Sequence, residues 1–170
     1  MISYIIGKVT ETGDGYAVVE NNGIGYFLNM PLSSLSRLGF AEEEVKVYTF
    51  MAVREDDVSL FGFLSKAELE MFKMLLTVSG IGPKGALGIL SSLPVDELKM
   101  AIAAEDSKLI AGAKGIGTKT AQKIVVELKG RIDKEFLAAD LAGTLSQSSG
   151  SPGSMQPNAA QAIDVLEALG

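Results

Sequence analysis

The chain has 170 residues, 47% of them hydrophobic and 21% charged, with a formal net charge of −6. It contains neither Cys nor His, which excludes disulfide frameworks, thiolate nucleophiles, Cys-ligated zinc and the commonest general base. No run of about 18 apolar residues can cross a membrane, and Met1 to Thr10 lack the layout of a secretion signal. A cytoplasmic protein that uses neither a metal nor a cofactor is the expectation.

The charge is unevenly spread. Residues 1–63 carry 4 basic against 9 acidic side chains, residues 64–135 carry 11 against 9, and residues 136–170 carry none against 3. The acidic total argues against a polyanionic partner, but the middle third alone is basic, and a local cluster is enough to contact phosphate.

The predicted fold class is α+β and multidomain. Tyr4–Val9, Tyr16–Val19, Ile24–Leu28, Val45–Phe50 and Val58–Phe61 are short segments rich in β-branched and aromatic residues. Turn residues such as Gly13-Asp14-Gly15 and Asn21-Asn22-Gly23 separate them. Five short strands within residues 1–63 predict a small closed sheet like an OB-fold barrel, with a sandwich fragment as the competing fold.

Residues 64–137 read as helical. Ser65-Lys66-Ala67-Glu68 has the spacing of a capping box, in which hydroxyl and carboxylate serve reciprocal backbone donors. Pro94 suits a first-turn position before Leu98 and Ile102. Ala121, Ile124, Val125, Leu128 and Ile132 share one helical face. Residues 138–157 predict a flexible linker, since all but Met155 between Ser146 and Pro157 are Ser, Gly, Pro or Gln. Residues 158–170 predict one short amphipathic helix, too little to fold alone.

A repeat stands out at an offset of 35 residues. Gly80-Ile81-Gly82-Pro83-Lys84 recurs as Gly115-Ile116-Gly117-Thr118-Lys119, and Ala86, Ile89 and Leu93 recur as Ala121, Ile124 and Leu128. Each copy reads as helix, Gly-Ile-Gly hairpin, helix. The helix after the second glycine opens with unpaired N–H groups and the positive end of its dipole, which makes an anion site. Lys84 and Lys119 add a full charge beside it. Two such sites predict contact with two phosphates of a nucleic-acid backbone through Gly80, Gly82, Lys84, Gly115, Gly117 and Lys119, with Lys123 assisting. Gly80 to Gly85 also fits the dinucleotide pattern G-x-G-x-x-G, and Gly112 to Thr120 approaches a P-loop. Both patterns need a preceding strand, whereas helix precedes each here, so neither nucleotide binding nor ATPase activity is expected.

Two hairpins of this kind behind a five-stranded domain resemble the RuvA family of Holliday-junction branch-migration subunits. The resemblance runs from Met1 to about Arg131. It includes Val53-Arg54-Glu55-Asp56, Leu60-Phe61-Gly62-Phe63 and both hairpins with Lys119-Thr120-Ala121. It implies a non-catalytic homotetramer that holds a four-way DNA junction open in recombination and repair. It also implies that a RuvB-type hexameric ATPase and a RuvC-type resolvase are partners. Glu55 and Asp56, with Asp57 beside them, map onto the family's acidic pin, whose carboxylates repel phosphate at the crossover. The family's third domain, which engages the ATPase, corresponds here to residues 158–170 alone, so the resemblance implies that junction binding survives and leaves coupling to the motor open. Two alternatives accompany this reading. One is a general duplex-binding helix-hairpin-helix protein; the other is a nuclease holding Mg²⁺ on Glu55, Asp56 and Asp57.

Overall fold

Five strands form where alternation and turn residues predict them: β1 (Tyr4–Gly13), β2 (Tyr16–Asn21), β3 (Ile24–Asn29), β4 (Val45–Val53) and β5 (Val58–Phe63). The structure is a computed structural model that describes residues 1–38 and 43–148, with side chains of the last helix described as far as residue 139. β1 is shared between two neighbours. Tyr4–Gly7 pair with β4, while Lys8–Gly13 pair with β2 across a bulge between Val9 and Glu11. Such a bulge bends a strand enough to turn a sheet corner. A parallel pairing of β3 with β5 closes the barrel in the order β1-β2-β3-β5-β4. Closure removes the sandwich alternative. Ile5, Val9, Ala17, Val19, Leu28, Met30 and Val47 fill the barrel interior.

The helix α1 (Leu32–Leu38) between β3 and β4 has no counterpart in the sequence reading. At seven residues, three of them Ser, it is too short to show helical periodicity. Pro31 starts it by accepting from the amides of Ser34 and Leu35, both at 3.0 Å.

Among the described residues five helices follow: α2 (Lys66–Leu76), α3 (Pro83–Ser92), α4 (Val95–Ala103), α5 (Ser107–Ala111) and α6 (Thr118–Ser148). Ser65 caps α2 as expected, its hydroxyl accepting from the Glu68 amide at 3.1 Å. The reciprocal half of the capping box is absent. Glu68 instead accepts from the Leu64 amide at 2.9 Å, because its carboxylate is also engaged by Ser34 and Arg37 on α1. Pro94 lies one position earlier than predicted, as the N-cap of α4. The face Ala121, Ile124, Val125, Leu128 and Ile132 of α6 is buried throughout. α6 then continues past residue 137, so the segment predicted as linker begins as helix up to Ser148. Met1–Lys134 form one compact unit, and Glu135 begins a second. The remainder of the expected linker and the short helix predicted over 158–170 lie outside the described residues.

Aromatic rings join the barrel to the helices. Phe72 of α2 is wholly buried, its ring centroid 5.5 Å from that of Phe50, 5.4 Å from Phe61 and 4.8 Å from Phe63. Removing a ring with that many neighbours leaves a cavity that strands cannot collapse into. Phe72→Ala is expected to destabilise the fold by about 3–5 kcal/mol, read from the midpoint of a urea unfolding curve. An unchanged midpoint would mean that the ring cluster does not hold barrel and helices together.

Candidate nucleic-acid interface

The two hairpins repeat bond for bond. Val78 N–H donates to the Leu75 carbonyl and Ala113 N–H to that of Ile110, both at 3.1 Å. Ile81 to Val78 and Ile116 to Ala113 are also 3.1 Å, and Ala86 to Gly82 and Ala121 to Gly117 are 3.0 Å. The first glycine of each turn is left-handed, with φ of +89° at Gly80 and +83° at Gly115. An L-residue there costs about 1–2 kcal/mol, which is why glycine opens both turns. Ile81 and Ile116 are buried, and both lie close to Gly85, so the two turns pack on each other.

The helix that follows each turn starts at Pro83 or Thr118. Among the described residues, the N–H groups of Gly80, Gly82, Lys84, Gly115, Gly117 and Lys119 donate to no protein acceptor. All six residues are exposed. Lys84, Lys119 and Lys123 are exposed and form no ion pair among the described residues. Each turn therefore presents unsatisfied donors, a helix N-terminus and an ammonium group to water, a combination suited to an anion.

A groove of about 460 Å³ brings the turns together with the barrel. Gly80 through Gly85, Gly115, Ile116 and Thr120 line one side, and Arg54, Asp57 and Ser59 the other. Of the predicted residues, Gly80, Gly82, Lys84 and Gly115 line it directly. Gly117, in the turn before α6, and Lys119 and Lys123, on its exposed start, lie outside the lining. Glu55 and Asp56 project from the β4–β5 turn, which the Arg54 amide closes by donating to the Asp57 carbonyl at 2.7 Å. Arg54 and Thr120 are groove residues that the sequence reading did not single out. A cation next to an acidic turn was the available signal for Arg54, and Thr120 matches Gly85 in the repeat and so carried none.

Among the described residues, no three carboxylates are grouped to hold a metal ion. The Asp57 carboxylate accepts the Ser59 hydroxyl instead of joining Glu55 and Asp56. Among the described residues no helix is long and apolar enough to cross a membrane.

The class that this geometry defines is a closed five-stranded barrel joined to a tandem helix-hairpin-helix domain. Residues 1–62 match the RuvA N terminal domain family, and residues 72–130 match the SAM-like helix-hairpin-helix tandem family. Three similar proteins carry the name Holliday junction branch migration complex subunit RuvA. The one from Lachnospira eligens is 50% identical over 141 residues, 82% of this chain and 68% of the relative. That from Acetivibrio thermocellus is 44% identical over 137 residues, 81% of this chain and 68% of the relative. That from Desulforamulus reducens is 42% identical over 170 residues, the whole of this chain and 81% of the relative. The chain belongs to the RuvA family.

Proposed function

We propose that this chain is a non-catalytic, junction-binding subunit of a branch-migration complex. It holds four-way DNA flat and open while a RuvB-type ATPase draws the arms apart. The observation that carries this reading is the pair of matched turns, each with free amides and a lysine, beside an acidic turn on the barrel. The turns grip the phosphate backbone irrespective of sequence. Phosphate contacts run through Gly80, Gly82, Lys84, Gly115, Gly117, Lys119 and Lys123, and Arg54 is an added contact on the barrel side. Glu55 and Asp56 act as the pin, disfavouring phosphate at the crossover and so selecting a junction over continuous duplex.

The assembly in this reading is a cytoplasmic homotetramer that also admits a RuvC-type resolvase. Support for the tetramer comes from the barrel's exposed apolar side chains Tyr4, Ile24, Phe27, Val53 and Val58, which contact between subunits would cover. Competition between four-way and linear DNA, with the oligomer mass measured alongside, tests the proposal. Preference for the junction by a tetramer is expected. Equal affinity would favour the general duplex binder, and Mg²⁺-dependent cleavage of the junction would favour the nuclease.

Glycine substitutions separate folding from binding. A Cβ at Gly82 or Gly117 meets nothing within 4 Å, and neither residue is left-handed. Gly82→Ala with Gly117→Ala is therefore expected to change stability by no more than about 0.5 kcal/mol. The added methyl groups stand where a phosphate must approach, so DNA affinity should fall markedly. Retained affinity would remove these two glycines from the interface.

A further inference from the structure

Two attachments join the barrel to the helices, and they differ in kind. The Phe72 ring cluster is apolar and non-directional, so it resists separation more than rotation. The second attachment is polar and centres on α1. Ser33 donates its hydroxyl to the Leu90 carbonyl at 2.8 Å, and Leu32 N–H donates to the Ser91 hydroxyl at 2.9 Å. Both partners lie on α3, the helix that opens at the first hairpin and carries Lys84. At the start of α2, the Glu68 carboxylate accepts from the Leu64 amide at 2.9 Å and from the hydroxyl of wholly buried Ser34 at 3.2 Å. It also pairs with the Arg37 guanidinium. The Glu68 side chain is only 12% exposed. Hydrogen bonds of this kind weaken steeply with angle, so they hold an orientation that packed rings alone do not.

We propose that Glu68 is a positioning residue: with Arg37 and Ser34 it clasps α1 to α2, sets the first hairpin at a fixed angle to the Glu55–Asp56 turn, and thereby sets the preference for four-way over linear DNA. The selectivity half rests on the junction-binding reading above. A junction must meet the hairpins and the acidic turn at once, so it gains from a preset angle. A linear duplex binds the hairpins and is only repelled by the acidic turn, so it gains nothing from a preset angle.

The chain has no Cys, so spin labels can be placed at two chosen sites. Asp14→Cys in the β1–β2 turn and Met100→Cys on α4 are exposed positions outside the groove. Pulsed spin-label distances between them, with labelled chain diluted in unlabelled chain, report the barrel-to-helix orientation. Glu68→Ala and Arg37→Ala are expected to broaden the distance distribution. They should also lower the junction-to-duplex affinity ratio about tenfold, in keeping with the loss of one charge-assisted hydrogen bond, while duplex affinity stays within about twofold. Arg37→Lys, which keeps the ion pair, should restore both. Should Glu68→Ala fail to fold, the surface variant Arg37→Ala carries the test. An unchanged distribution overturns the clasp, and a broadened one with an unchanged ratio overturns its role in selectivity. A wild-type chain without junction preference would overturn the functional reading, while the distances would still judge the clasp.

Discussion

Replacing Lys84 and Lys119 together by Glu should abolish most DNA binding, to four-way and linear DNA alike and without regard to sequence. Both ammonium groups are exposed and unpaired among the described residues, next to amides that already favour an anion. Each lysine that no longer neutralises a phosphate lowers the slope of log K against log salt by about 0.9. Two such lysines per chain therefore account for roughly a twelvefold change in affinity between 50 and 200 mM salt, before the new carboxylates add repulsion. Fluorescence anisotropy across a salt series reads both the affinity and the slope. A slope like that of the wild type would take both lysines out of the interface. Folding should be unaffected, because neither side chain takes part in an ion pair and both are exposed.

Neutralising the turn, Glu55→Gln with Asp56→Asn, should act in the opposite direction. Affinity for linear duplex is expected to rise by an order of magnitude, and the junction preference to shrink by a similar factor. The cause is electrostatic. Glu55 and Asp56 sit in the turn between Arg54 and Asp57, which line the groove with the amide-rich turns. A continuous duplex laid over the hairpins is therefore expected to bring phosphate toward them, whereas the open centre of a junction leaves them a space. High salt should imitate only the loss of preference, since exposed charges are screened beyond about 10 Å at 0.1 M, while it lowers the affinity for both DNA forms. A competition assay with both DNA forms in one tube measures the ratio directly. A ratio unchanged by the substitutions would reduce the turn to an ordinary hydrophilic hairpin tip.

Much of this arrangement could be read from residue order because the repeat encodes geometry. The recurrence of Gly-Ile-Gly-x-Lys at one offset marked the same turn twice, while which glycine is left-handed, the first of each turn, came only with the structure. The strands were legible because their residues alternate and their turns are marked by Gly and Asn. What residue order did not disclose is long-range. α1 is too short and too rich in Ser for its periodicity to register. Glu68 fits a local capping box, yet the structure sends its carboxylate to the Leu64 amide, Ser34 and Arg37 instead of the Ser65 amide, since the opposite charge that folding brings close fixes where the carboxylate sits. Arg54 and Thr120 enter the groove only through the closure of the barrel against the helices, which no local window contains.

The most direct test of the twin phosphate clamps is a titration of isotope-labelled chain with a short duplex, following backbone amide signals by NMR. The amides of Gly80, Gly82, Gly115 and Gly117 are predicted to move together, with the Lys84 and Lys119 amides beside them, and to return as salt is raised. Shifts centred on the outer barrel strands, with these six amides unmoved, would contradict the account.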